Sequence, residues 1–274
     1  LITMEWKNIY RGMLMGASDV IPGVSGGTIA VLLGIYDQLI AAVNGFLSKN
    51  WKKQLGFLIP LGIGIVLAVF LLSHVIEWLF GHYPGPTQFF FLGLIIGVLP
   101  YLSRKADAKN TFEIKHVLLL VVGAVIVGSM VFLQTNEGTA IENVTMSTYI
   151  LLFFSGFIAS SAMILPGISG SFMLLIIGVY TTVFSGISNF QLDIIIVTGA
   201  GIVIGLVVMS KIIHFFLKNY YTGTFAVIIG MVIGSIFVVF PGWPTDPSHV
   251  LFSIVAFALG LAAAYMLGKV EYET

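Results

Sequence analysis

The sequence predicts an all-α polytopic membrane protein made of two inverted-topology repeats, each a re-entrant helical hairpin followed by three transmembrane helices. Three observations predict this. Over 274 residues, 58% are hydrophobic and only 9% charged, against about 25% charged in a soluble domain. That leaves too little polar surface to coat a globule in water, and long apolar runs between short polar loops indicate several spans. A segment of the first half recurs in the second half. Finally, the lysines and arginines segregate to one side of any threading that respects the apolar runs.

The recurrence sets the elements. Residues 12–43 read GMLMGASDVIPGVSGGTIAVLLGIYDQLIAAV, and residues 156–187 read GFIASSAMILPGISGSFMLLIIGVYTTVFSGI. At an offset of 144, Gly12, Pro22, Gly23, Ser25, Gly26, Gly34 and Tyr36 meet Gly156, Pro166, Gly167, Ser169, Gly170, Gly178 and Tyr180. Downstream the offset becomes 137: Gly62, Gly64, Tyr83, Thr87, Gly93 and Gly97 meet Gly199, Gly201, Tyr220, Thr224, Gly230 and Gly234. The seven extra residues of the first copy fall in the polar stretch Ser48–Gln54, where a loop tolerates insertion. The first repeat, residues 1–136, has hairpin arms at roughly 9–21 and 26–47, then spans at roughly 55–80, 88–103 and 116–134. The second, residues 149–270, has arms at roughly 149–165 and 169–187, then spans at roughly 192–217, 223–240 and 249–268.

Charge orients the elements. With a cytoplasmic N-terminus, the first hairpin returns inside at Lys49, Lys52 and Lys53, and the uncharged Gly81–Pro86 lies outside. Arg104, Lys105, Lys109 and Lys115 are inside, and Glu137 and Glu142 outside. Lys211 and Lys218 then fall inside, Asp246 outside and Lys269 inside. All 12 lysines and arginines sit at or near the inner face, as the positive-inside rule requires. Each hairpin adds no crossing if re-entrant and two if spanning. One repeat therefore crosses an odd number of times, and the second copy must be upside down. The total is six spans plus two re-entrant hairpins, or ten crossings, with both termini inside. The re-entrant reading is preferred, because residues 9–21 are too few to cross ~30 Å at ~1.5 Å per residue. Inverted repeats of this kind place binding sites near the midplane. Trp6, Trp51, Trp78 and Trp243 fall at span ends, as interfacial anchors do.

The hairpin tips carry the chemistry. They read Pro22-Gly23-Val24-Ser25-Gly26-Gly27-Thr28 and Pro166-Gly167-Ile168-Ser169-Gly170-Ser171. Proline and glycine break a helix, and non-helical backbone at membrane depth is tolerated only against protein or water. A new helix then starts, with Ser25 or Ser169 as N-cap. Its free N–H groups and dipole suit a phosphate or carboxylate, which the small Gly26, Gly27, Gly170 and Ser171 would let approach closely. The competing structural reading is a tight turn for helix packing. No Lys-Ser/Thr ending makes either tip a nucleotide loop.

Ionisable residues within the apolar segments are further candidates. Asp19 could carry a proton, cap a neighbouring helix or face water. Asp37 lies in the returning arm, and Glu77 and Lys211 could snorkel to opposite surfaces. Arg11 could greet a phosphate or serve as a topology anchor. The five histidines, His74, His82, His116, His214 and His249, lack metal-pair spacing. With no cysteine there is no disulfide or thiolate site. No metal or cofactor is expected. Zero net charge points to no nucleic-acid partner, and the N-terminal residues show no signal-peptide pattern.

The duplicated Pro-Gly-Val/Ile-Ser-Gly tip, with Gly-Ala-Ser-Asp-Val-Ile before it and Leu-Leu-Gly-Ile-Tyr after it, resembles the polyprenyl-phosphate transporter family, formerly a membrane domain family of unknown function. The resemblance covers nearly the whole chain. It implies a flippase that returns undecaprenyl phosphate, or a similar polyprenyl-phosphate lipid, from the outer to the inner leaflet of the bacterial cytoplasmic membrane, for reuse in cell-wall synthesis. It implies no enzyme. The residues themselves leave open a transporter of small soluble anions, and the oligomeric state, a homo-oligomer included. A membrane phosphatase of undecaprenyl pyrophosphate shares a Pro-Gly-x-Ser loop. Here glycine follows Ser25 and Ser169 where that enzyme has arginine, and its paired glutamates are missing.

Overall fold

The computed structural model describes residues 3–19, 25–46, 48, 51–133, 140–141, 144–244 and 247–272, and those residues contain no strand. The first half comprises α1 (Asn8–Asp19), α2 (Gly26–Leu32), α3 (Tyr36–Gly45), α4 (Trp51–His82), α5 (Pro84–Lys105), the short α6 (Ala108–Thr111) and α7 (Ile114–Gly128). The second comprises α8 (Met146–Met163), α9 (Gly170–Ile177), α10 (Tyr180–Ser188), α11 (Leu192–Asn219), α12 (Tyr221–Val239) and α13 (Pro247–Tyr272). Among the described residues, seven helices are long and apolar enough to cross a bilayer: the Trp51–Leu72 part of α4, α5, α7 with its 3-10 extension to Phe132, α8, α11, α12 and the His249–Lys269 part of α13. The chain is a multi-pass membrane protein. Large apolar side chains such as Phe70, Val125 and Ile254 face outward, toward hydrocarbon rather than water.

Local chemistry sets the helix ends. Pro84 opens α5, where its missing N–H costs nothing. Thr145 and Thr148 form a reciprocal capping box at α8, and Glu113 and His116 do so at α7. Pro60 lies within α4 and Pro100 within α5 without ending either helix, as membrane helices allow. The returning hairpin arms, single segments by hydropathy, are each broken by a left-handed glycine. Gly34 (φ 68°) separates α2 from α3, and Gly178 (φ 83°) separates α9 from α10. At the second break the axis turns by 113°.

Helices pair closely: α1 on α4, α8 on α11, α5 on α13 and α7 on α12. Glycine makes each approach possible. Gly12 packs on the Leu61 carbonyl and Gly64 on that of Ile9. At the offsets of the sequence recurrence, Gly156 packs on the Thr198 carbonyl and Gly201 on that of Phe153. Gly93 meets the Phe257 carbonyl, and its image Gly230 meets that of Leu120. Gly123 meets Val227, and its image Gly260 meets Phe90. The α5–α13 and α7–α12 contacts therefore tie the two halves together in both directions.

The core centres on the first hairpin. Every residue of α2 is buried, and Leu33, Ile35, Tyr36 and Ile40 continue that burial to Phe225 of α12. The second hairpin is less covered: within α9 only Gly170 and Leu174 are fully buried.

Candidate functional site

The two tips meet. The Gly167 N–H donates to Thr28 Oγ1 at 2.8 Å. The Ser25 hydroxyl lies 3.4 Å from the carbonyl oxygens of both Met163 and Leu165. The fully buried Tyr36 donates its hydroxyl to the Ile164 carbonyl at 3.1 Å. The loop that ends α8 thus presents the carbonyls of Met163, Ile164 and Leu165 to hydroxyls of the first hairpin. Gly167, at φ 88°, turns that loop and lies against the Met231 backbone of α12.

The helix starts beyond the tips differ in electrostatics. Ser25 is the N-cap of α2 and accepts from the Gly27 N–H at 3.1 Å. The Gly26 N–H donates to the Asp19 carboxylate at 2.6 Å, and that of Thr28 to the Ser25 carbonyl. The α2 N-terminus is therefore saturated by the protein's own groups, Asp19 supplying the anion. The Asp19 carboxylate thus makes a capping contact with α2. At the matching position of the second half stands Met163, uncharged. Ser169 is the N-cap of α9 without a capping bond, and its hydroxyl instead pairs with that of Ser171 at 2.8 Å. Among the described residues no hydrogen bond engages the N–H groups of Gly170, Ser171 or Phe172.

The other candidates sort by position. Pro22 and Gly23 lie outside the described residues, and so does the side chain of Glu77. Pro166 is buried in the turn between α8 and α9. The room beside Gly26 is taken by the Asp19 carboxylate, and that beside Gly27 by the Met163 and Ile164 carbonyls. Beside Gly170 lie Ala159 and Met163 of α8. Each of these glycines is packed against protein on its Cα side. Arg11 belongs to α1, where it donates to Asn8 at 2.9 Å, and Lys211 is exposed on α11. No group of metal-binding side chains is found among the described residues.

Asp37 has a partner the sequence did not reveal. Lys105, at the end of α5, forms an ion pair with it at 2.8 Å. The same ammonium lies 3.5 Å from the Gly34 carbonyl and over the Phe225 ring. This one cation ties the bend of the first hairpin to α5 and α12. In the sequence, Lys105 reads only as a signal of orientation. Tyr36 had a signal available, because it recurs as Tyr180 beside the recurring glycine.

Residues 15–253 match the family described as undecaprenyl phosphate translocase-like. The chain belongs to this family. It is 44% identical over 277 residues to the polyprenyl-phosphate transporter of Staphylococcus aureus, an alignment covering 98% of each chain. It is 38% identical over 253 residues to the polyprenyl-phosphate transporter of Vibrio cholerae, covering 87% of this chain and 79% of that one. No solved structure matches it. The family match covers both hairpin tips, and the Asp19 cap and the Asp37–Lys105 pair lie within it.

Proposed function

We propose that the chain is a flippase returning undecaprenyl phosphate, or a closely similar polyprenyl phosphate, from the outer to the inner leaflet of a bacterial cytoplasmic membrane. It acts as a transporter and not as an enzyme. The observation that carries the reading is the junction of the two hairpin tips, buried and hydrogen-bonded through Thr28 and Gly167, in a chain 44% identical to a protein named for transport of this lipid class. The isoprenoid tail can stay in hydrocarbon throughout. Only the charged head needs a path, and the tips supply one within the protein.

In this proposal the two halves, residues 1–136 and 149–270, are inverted repeats with both termini inside, and the hairpins are re-entrant. The glycine contacts repeated at the sequence offsets support the repeat, and the distribution of lysine and arginine supports the inversion. The α1 helix has 12 residues, about 18 Å of helix, too short to span. The 18 residues of α8, about 27 Å, nearly reach across. On its way across, the head is held at the α9 start, where uncommitted N–H groups and the Ser169–Ser171 hydroxyls can meet a phosphate. Asp19 keeps the α2 start satisfied meanwhile. Rocking of one repeat against the other then exposes the head to each face in turn.

Reconstitution tests this. With labelled undecaprenyl phosphate in one leaflet of a proteoliposome, purified protein should move the label to the other leaflet well above the protein-free rate. Equal rates with and without protein would overturn the proposal. Uptake of soluble anions with no leaflet effect would establish the small-anion reading instead.

A further inference from the structure

A cavity of about 1040 Å³ lies between α7, α11 and α12. Its walls are apolar, with Leu119 and Val122 from α7, Ile212 and Phe216 from α11, and Ile228 from α12. Several wall residues are open to the outside, Leu118 at 61% and Val122 at 52% exposure, so the cavity opens laterally, toward lipid. Its deep end reaches Tyr36 of the first hairpin and Leu165 of the second, the two residues flanking the tip junction. Its other end is polar: Lys115 and His116 in the first turn of α7, facing Asn219, Tyr220 and Thr222 where α11 passes into α12.

We propose that this cavity is the lateral port for a polyprenyl phosphate, with Lys115 and His116 holding the phosphate and the helix walls holding the first isoprene units. The proposal rests on the transport reading and adds the place where the lipid docks. A soluble anion gains nothing from apolar walls, and a neutral lipid gains nothing from a cationic end. A lipid with a phosphate head fits both. The volume is at the upper end of the ~300–1,000 Å³ of pockets that enclose a small ligand, room for a segment of a long chain.

Both side chains are available to a phosphate. Lys115 pairs with Glu113 at 2.8 Å, but both side chains are about two-thirds exposed, and such pairs contribute little, so a phosphate can replace the carboxylate. His116 Nδ1 accepts the Glu113 N–H, which leaves the ring hydrogen on Nε2 as a donor. The opposite half lacks this chemistry. At the offset of 137, Lys115 and His116 become Phe252 and Ser253, and Tyr220 becomes Tyr83. There the Tyr83 and Phe252 rings meet edge-on at 6.3 Å. The cationic end thus belongs to one face of the molecule only.

The test uses the full chain in nanodiscs with farnesyl phosphate, farnesol and inorganic phosphate as probes. Farnesyl phosphate should bind at least about tenfold more tightly than either of the others. Lys115→Gln combined with His116→Gln should remove that preference, a loss of about tenfold or more, and leave farnesol binding unchanged. Glutamine at position 116 can still accept the capping N–H, so the α7 start is preserved. Val122→Trp, on an exposed wall, should weaken farnesyl phosphate and farnesol alike. A phosphate preference retained in the double variant overturns the port, as does unaltered binding in Val122→Trp. Inorganic phosphate competing as strongly as farnesyl phosphate would make the cavity a soluble-anion site and also overturns it. Transport of undecaprenyl phosphate by the same preparations separates the two levels. Variants that transport like the wild type sink the port alone, whereas a wild type that neither binds nor transports sinks the transport reading with it.

Discussion

Replacing Thr28 with valine is the sharpest perturbation of the tip junction. Valine keeps the branched shape and exchanges the hydroxyl for a methyl. Thr28 is 3% exposed, and its Oγ1 receives the Gly167 N–H at 2.8 Å. Without it that buried N–H has no acceptor, at a cost of about 1–3 kcal/mol. If the joined tips belong to one state of the transport cycle, that state loses about 5- to 150-fold in population relative to states where the tips are apart. Initial transport rates in proteoliposomes should fall within that range, and the unfolding midpoint in detergent should drop with them. Thr28→Ser retains the hydroxyl and should stay near the wild type in both measurements. A valine variant equal to the wild type in rate and midpoint would refute the idea that this bond couples the hairpins.

The remaining expectations concern the same scaffold. Gly170→Val should abolish transport while leaving expression intact, because a Cβ there would sit 3.1–3.2 Å from the Ala159 carbonyl and Met163 Cβ, tighter than ordinary contact; full transport by this variant would count against a working role for the α9 start. Lys105→Met should destabilise the fold by about 1–3 kcal/mol, between the values for surface and buried pairs, and the exchange Asp37→Lys with Lys105→Asp should recover part of that loss in thermal unfolding. Gly93→Leu and Gly230→Leu should destabilise to a similar extent, each by at least about 1–3 kcal/mol from overpacking, since they occupy corresponding places against the Phe257 and Leu120 carbonyls. A large effect from one and none from the other would break that correspondence.

Much of the fold was legible in sequence because recurrence carries three-dimensional information. The matched glycines at 93 and 230, and at 12 and 156, are the points where helix backbones touch, and hydropathy located the long helices to within a few residues. The paired tips were legible for the same reason. The Asp37–Lys105 pair was not, because its members are far apart in the chain and a lysine after a span reads first as an orientation signal. The asymmetry of the tips was half-visible: Asp19 faces Met163 in the alignment of the halves, but only geometry shows its carboxylate on the Gly26 N–H. The glycines at 34 and 178 were aligned, yet hydropathy alone runs straight through them, since a left-handed break leaves the apolar composition unchanged. The cavity depends on the separation of three helices, which no local pattern encodes.

The most direct test of the inverted hairpins is single-cysteine labelling, which the cysteine-free chain permits without background. Ser48→Cys, after the first hairpin, and Asn189→Cys, after the second, both sit at exposed positions. In sealed vesicles of known orientation, a membrane-impermeant thiol reagent should reach the first only from the cytoplasmic side and the second only from the opposite side. Labelling of both from one side would contradict the account.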